Sequence, residues 1–213
     1  MNIKLELENQ KYFTQRASVM FDLGFHQEAL QKLQSYIELL WSSNNELNLI
    51  SRKMTFAELI DNHVIDCLLP LKYFPQNIKK CADFGSGGGF PAVIYAIQFP
   101  SIEFHLYEKS KLKQDFLTKC QQITNNLKIH GDLPPEFDGV DLVTARGFKP
   151  IDVILQMSQG YYKNNGHYFL LKARREKINE EISDAHKKNK LLKCEIIELK
   201  SPVLEVERNL VKI

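Results

Sequence analysis

Along the first 75 residues the apolar positions recur every three or four residues. Phe13, Ala17, Met20 and Phe21 form one set; Ala29, Leu30, Leu33, Tyr36, Ile37, Leu40 and Trp41 form a longer one, with Gly24 between them. This period predicts amphipathic helices that each bury a stripe. Trp41 lies on the second stripe and is read as core rather than as a base-stacking platform. The polar run S-S-N-N-E-L-N-L-I-S suits a turn and a helix start. A further helix is expected over Phe56–Leu69, with Leu59, Ile60, Val64, Ile65 and Leu68 inward. On it His63 and Asp66 are three residues apart and so share a face, which on chemistry alone reads as a structural pair or a solvated face. Pro70 and Pro75 close the block.

From Lys79 the period changes. Short apolar or alternating runs predict strands at 80–84, 103–108, 127–130, 140–145, 167–172, 191–199 and 208–213, with helices near 91–98, 110–124, 150–160 and 175–189. Such alternation makes a mostly parallel, doubly wound α/β sheet. Only K-S-P-V-L-E-V-E separates the last two strands, so they are expected to form an antiparallel hairpin at one edge. The chain then divides into a helical cap over residues 1–75 and an α/β domain over residues 76–213.

Composition narrows the class. The 213 residues are 44% hydrophobic and 25% charged, with a net charge of +2, so no global basic field advertises nucleic acid. The charge is uneven, however. Residues 163–193 carry nine basic and four acidic side chains, and Lys172, Arg174 and Arg175 follow the fifth expected strand. The four cysteines, Cys67, Cys81, Cys120 and Cys194, are widely spaced, which argues against zinc or a disulfide framework and for a reducing cytoplasm. The opening M-N-I-K-L-E-L-E-N-Q carries acids and lacks the apolar core of a signal peptide, and no run is long enough for a membrane span.

The chemistry gathers around D-F-G-S-G-G-G-F-P. An apolar run stops at Gly85, and glycines follow at alternate positions, Gly85, Gly87 and Gly89, before the apolar A-V-I-Y-A-I. Strand, glycine turn and helix open a nucleotide-type unit, where backbone without Cβ lets a ligand lie against the main chain. The dinucleotide fingerprint wants Gly or Ala at its sixth position, where this chain has Phe90. The alternate spacing behind Asp83 is instead similar to the motif of S-adenosylmethionine-dependent methyltransferases. Glu108 ends E-F-H-L-Y-E, 23 residues past Gly85, where a carboxylate can grip two ribose hydroxyls. Gly131 and Asp132 follow the third strand and are candidates for the adenine. Arg146 ends D-L-V-T-A-R at the expected pocket mouth.

The ordered set of motifs resembles the RsmG (GidB) family, which modifies small-subunit ribosomal RNA. It runs from about Leu39 to the C-terminus: N-x-x-x-N-L (Asn44, Asn48, Leu49), H-x-x-D (His63, Asp66), D-x-G-S-G-x-G-F-P, V-T-A-R, Leu171–Lys172 and E-R-N-L-V. The resemblance implies a Rossmann-like class I methyltransferase sheet with an antiparallel C-terminal strand and a helical N-terminal extension. It implies S-adenosylmethionine as methyl donor and S-adenosylhomocysteine as product. The target would be N7 of a guanosine in 16S rRNA, in the small subunit or an assembly intermediate. Cofactor contacts fall on Gly85, Phe90, Gly131–Asp132 and Arg146, and pocket or RNA-facing roles on His63, Asp66 and Lys172. Asp83, Gly87, Gly89 and Glu108 join the cofactor set on the reading of the loop. The RNA phosphates are expected on Arg174 and Arg175. The chain departs from the family pattern at Cys67 and at Gly147–Phe148. No general base is expected, because a guanine N7 lone pair loses no proton on methylation. The expected form is a monomer without membrane contact. Competing readings are a nicotinamide-dependent oxidoreductase, a non-catalytic ribosome-binding or assembly protein, and a methyltransferase acting on protein or a small molecule.

Overall fold

The computed structural model describes residues 3–213, with side chains from residue 5; the reading of the N-terminus also touches Met1 and Asn2, which lie outside the described residues. Helices α1 (Ile3–Asp22) and α2 (Leu30–Leu47) form on the two apolar stripes. Phe13, Met20, Leu33, Tyr36, Ile37 and Leu40 are buried, and Trp41 packs edge-on against Phe56 at 5.4 Å, as core. The loop after α2 opens at Asn48, in the left-handed region at φ 51°. Thr55 and Glu58 then form a reciprocal cap: the Glu58 N–H donates to the Thr55 hydroxyl and the Thr55 N–H to the Glu58 carboxylate.

That cap starts α3 (Phe56–Leu59), but the helix does not continue uniformly to Leu69 as expected. Residues Ile60–Ile65 form a π-helical turn before α4 (Asp66–Leu68). Insertions of this kind recur at functional sites, and this one carries Asp61, Asn62 and His63. Asp61 is buried and accepts from Arg16 at 2.9 Å and from the Tyr12 hydroxyl at 2.6 Å, tying α1 to the turn. Asp61→Ala should therefore lower unfolding free energy by about 2 kcal/mol, a discounted value because Arg16 is partly solvated. An unchanged denaturation midpoint would show that this link contributes nothing.

The sheet has the order β3-β2-β1-β4-β5-β7-β6. Strands β1 (Lys80–Phe84), β2 (Glu103–Tyr107), β3 (Leu127–His130), β4 (Leu142–Arg146) and β5 (Tyr168–Lys172) are parallel. The closing hairpin of β6 (Glu195–Leu199) and β7 (Arg208–Lys212) is antiparallel, as its short connection requires, with β7 added antiparallel to β5. Strand β6 starts four residues later than its expected range, and Leu191 is 91% exposed.

Alternation along the strands feeds two cores. Cys81, Leu142, Phe169 and Leu171 face α5 (Ala92–Gln98), α6 (Lys111–Cys120) and the N-terminal helices. Ala82, Phe84, Val143, Tyr168 and Leu170 face α7 (Ile151–Met157), α8 (Gln159–Lys163) and α9 (Arg175–Lys188). A sheet covered on both sides explains why its central strands read as continuous apolar runs. The expected helix 150–160 is broken at Ser158, whose side chain turns inward to Ile154 and Tyr168.

Candidate functional site

Strands β1 and β4 flank the point where the strand order reverses, the place where open α/β sheets bind ligands. The glycine loop follows β1 there. The N–H groups of Gly85 and Ser86 donate to the Tyr107 carbonyl, so the loop is stitched to the tip of β2. Gly85 has φ +71°, and a Cβ on it would stand 2.2 Å from the Phe148 ring. Gly89 has φ +96°, and a Cβ there would meet Val93 at 2.6 Å and the Tyr36 hydroxyl at 3.0 Å. The helical layer presses on the same loop. Tyr36 donates to the Gly88 carbonyl at 2.6 Å, and Leu49 lies beside Gly88.

Asp83, the last but one residue of β1, is buried beneath the loop. Its Oδ1 accepts from Thr144 of β4 at 2.8 Å, while its Oδ2 has no hydrogen-bond partner among the described residues. Burial pushes its carboxyl up from 3.8 to about 7. The folded chain thus keeps a proton that the unfolded chain releases, so stability should be lost as pH rises from about 4 through 7. Asp83→Asn should flatten that part of the stability–pH curve. Parallel curves for the two proteins between those limits would refute the assignment.

Glu108 stands at the tip of β2, as its position in the sequence predicted. Its carboxylate accepts from the N–H of Gly87 at 2.9 Å and of Ser110 at 2.8 Å, which leaves lone pairs for a further donor. Gly131 follows β3 beside Gln114. Asp132 points outward, 69% exposed and 3.0 Å from the Lys109 ammonium. Phe90 is core: its ring is buried and packs against Tyr36 and His63.

Past β4 the wall of a 540 Å³ cavity begins, lined among others by His63, Asp66, Arg146, Phe148, Lys172 and Arg208. Arg146 reaches across to the π-helical turn. It donates to the Asn62 carbonyl at 2.8 Å and to His63 Nδ1 at 3.0 Å, and lies 3.5 Å from Asp66. Since arginine only donates, His63 Nδ1 accepts and the imidazole proton sits on Nε2. Burial, then the Arg146 and Arg208 charges, hold His63 down at about 4, so it is neutral near pH 7. Asp66 is buried and also accepts from Arg208 at 2.6 Å. One carboxylate thus serves two guanidinium groups, on β4 and β7.

Two of the expected site residues have partners inside the fold. Arg146, expected to fix the cofactor, has its guanidinium engaged by protein acceptors, because the helical layer comes within reach of the end of β4. Lys172, expected to face RNA, is paired at 2.7 Å with Glu181 of α9 and donates to the Lys149 carbonyl. Its side chain is only 14% exposed, so its charge is spent inside the fold. Arg174 and Arg175 are exposed. Sequence reasoning assigned no role to Arg208 or Phe148. Arg208 sits within the closing motif E-R-N-L-V, and its basic character against the acidic H-x-x-D was an available signal. Among the described residues no group of three or more His, Cys, Asp or Glu could hold a metal, and no helix is long and apolar enough to cross a membrane.

Comparison with known proteins agrees with this geometry. A Bdellovibrio bacteriovorus protein named ribosomal RNA small subunit methyltransferase G 1 is 62% identical over 203 residues, 95% of this chain and 99% of that one. A Borreliella burgdorferi protein named ribosomal RNA small subunit methyltransferase G is 33% identical, covering 88% and 91%. Among solved structures, the ribosomal protein L11 methylase of Lactobacillus delbrueckii subsp. bulgaricus shares the fold, with TM-score 0.53 at 13% identity over 70% of this chain and 76% of that one. The N-terminal domain of human METTL16 in complex with SAH gives TM-score 0.51 at 9% identity, covering 75% and 70%. Residues 29–211 match the family described as rRNA small subunit methyltransferase G, and with relatives this similar over nearly its whole length the chain belongs to that family.

Proposed function

We propose that this protein transfers a methyl group from S-adenosylmethionine to N7 of a guanosine in the 16S rRNA of the small ribosomal subunit. The observation that carries the reading is the glycine loop at the sheet's reversal point, in a chain of this family. The residues around it suit that cofactor. The partnerless Asp83 oxygen lies beneath the loop and would take the ammonium of the amino-acid tail. Glu108 would take the ribose hydroxyls, the backbone at Phe90 and Gly131–Asp132 would border the adenine, and the bare backbone at Gly85, Gly87 and Gly89 would admit the ligand. When bound, the cofactor supplies a methyl on a sulfonium, which a lone-pair nitrogen accepts without first losing a proton.

The protein's task is then proximity and orientation rather than general-base catalysis. His63 and Asp66 would shape the cavity for the base, positioned by Arg146 and Arg208. With its proton on Nε2, neutral His63 is a donor suited to the guanine O6 acceptor beside N7. Arg174 and Arg175 would meet phosphates. The work would be done in the cytoplasm, by a monomer, on a subunit or an assembly intermediate.

The test is methyl-labelled cofactor incubated separately with small subunits, naked 16S rRNA and total protein. Label recovered as 7-methylguanosine in RNA is expected. Label in protein, or particle binding without label anywhere, would replace the reading with a protein methyltransferase or a non-catalytic assembly factor.

A further inference from the structure

Gly147, Phe148, Lys149 and Pro150 connect β4 to α7, and all four line the cavity. The Phe148 ring lies directly against Gly85 of the glycine loop. This short connection is therefore a wall shared by the glycine loop and the cavity. Its front end is tied through Arg146 to the π-helical turn, at the Asn62 carbonyl and at His63. Its back end is tied by two side chains from elsewhere in the chain. The Lys172 ammonium, at the end of β5, donates to the Lys149 carbonyl at 2.9 Å and to Glu181 Oε2 at 2.7 Å. The same Glu181 oxygen accepts from the Ile151 N–H at 3.1 Å, a first-turn donor with no partner inside α7. The strand behind Lys172 is held too: Asn209, buried beside it on β7, donates to the Ala173 carbonyl at 2.6 Å. The Lys172 and Glu181 side chains are 14% and 11% exposed. A pair so far from water gains little net stability over apolar side chains of similar size. What it supplies is direction, since charged hydrogen bonds fix one carbonyl and one amide of the wall.

We propose that Lys172 and Glu181 are positioning residues for methyl transfer: acting through the Lys149 carbonyl and the Ile151 N–H, they hold the Gly147–Pro150 wall in register with the glycine loop. The proposal rests on the methyl-transfer reading above and deepens it. It gives the Leu171–Lys172 motif a role inside the protein in place of an RNA contact. Methyl transfer by orientation alone depends on a wall that does not drift, because no proton transfer compensates for a misplaced base.

The experiment combines amide hydrogen exchange over residues 147–151, methyl-transfer kinetics below each variant's melting transition, and the salt dependence of 16S rRNA binding. In Lys172→Met the amides of the wall should exchange about tenfold faster or more, the loss of one charged hydrogen bond. Its kcat should fall roughly 10- to 100-fold, with the salt slope of RNA binding unchanged. Glu181→Gln, whose amide oxygen can still accept from both donors, should stay within roughly tenfold of wild type. The exchanged pair Lys172→Glu/Glu181→Lys restores opposite charges, yet Glu at 172 cannot donate to the Lys149 carbonyl and Lys at 181 cannot accept from the Ile151 N–H. It should melt nearer to wild type than Lys172→Met does, with kcat still low. Recovery of kcat in the exchanged pair overturns the proposal, because an ion pair alone would then suffice. A salt slope shallower by about 0.7 in Lys172→Met, one single-strand phosphate contact, overturns it in favour of an RNA-facing lysine. Wild-type exchange over 147–151 in Lys172→Met overturns it whatever the activity. A wild-type protein that labels neither subunits nor naked RNA overturns the functional reading instead, and the exchange measurement still decides whether the pair holds the wall.

Discussion

Gly85→Ala is expected to weaken binding of S-adenosylhomocysteine by roughly 100-fold or more, from left-handed backbone strain added to a steric collision. The new methyl would stand 2.2 Å from the Phe148 ring at a φ of +71°. Either the ring moves or the loop does, and the loop is stitched to Tyr107 and pressed by Tyr36. Adding Phe148→Ala should restore part of the affinity by removing the collision and leaving the strain. Titration calorimetry on the single and double variants reads both effects. Wild-type affinity in Gly85→Ala would mean that the ligand does not lie against this backbone.

Asp66→Ala has the largest expected effect on stability, about 3–5 kcal/mol. It removes the one carboxylate placed between Arg146 and Arg208, each side chain at most one-quarter exposed, and so leaves two positive charges facing each other in the cavity wall. The loss should appear in denaturant unfolding, with methyl transfer abolished even below the melting transition. Asp66→Leu combined with Arg146→Leu should cost less than the sum of the single changes, because the pair fails as a unit. A cost below about 1 kcal/mol would show that the wall tolerates unpaired cations and that Asp66 does not organise it.

Much of this was legible in the residues. The strand–glycine–helix unit and the acid at Glu108 depend on local spacing, and both stand where the pattern placed them. The hairpin of β6 and β7 followed from the absence of a helical period between them. What escaped depends on contacts distant in the chain. Arg146 is 80 residues from Asp66, and Arg208 is 142 from it, so neither pairing leaves a local trace. Lys172 looked free because Glu181 lies on the next helix, and only the packing of α9 against β5 brings them together. The π-helical turn was hidden for another reason: its apolar positions keep a nearly helical spacing, and the extra residue shows only in the backbone.

The most direct measurement is a crystal structure of the protein with S-adenosylhomocysteine. The account predicts the ligand along Gly85–Gly89, its hydroxyls on Glu108 and its ammonium at the Asp83 oxygen that has no partner here. A ligand bound elsewhere, with Asp83 still unpartnered, would contradict it.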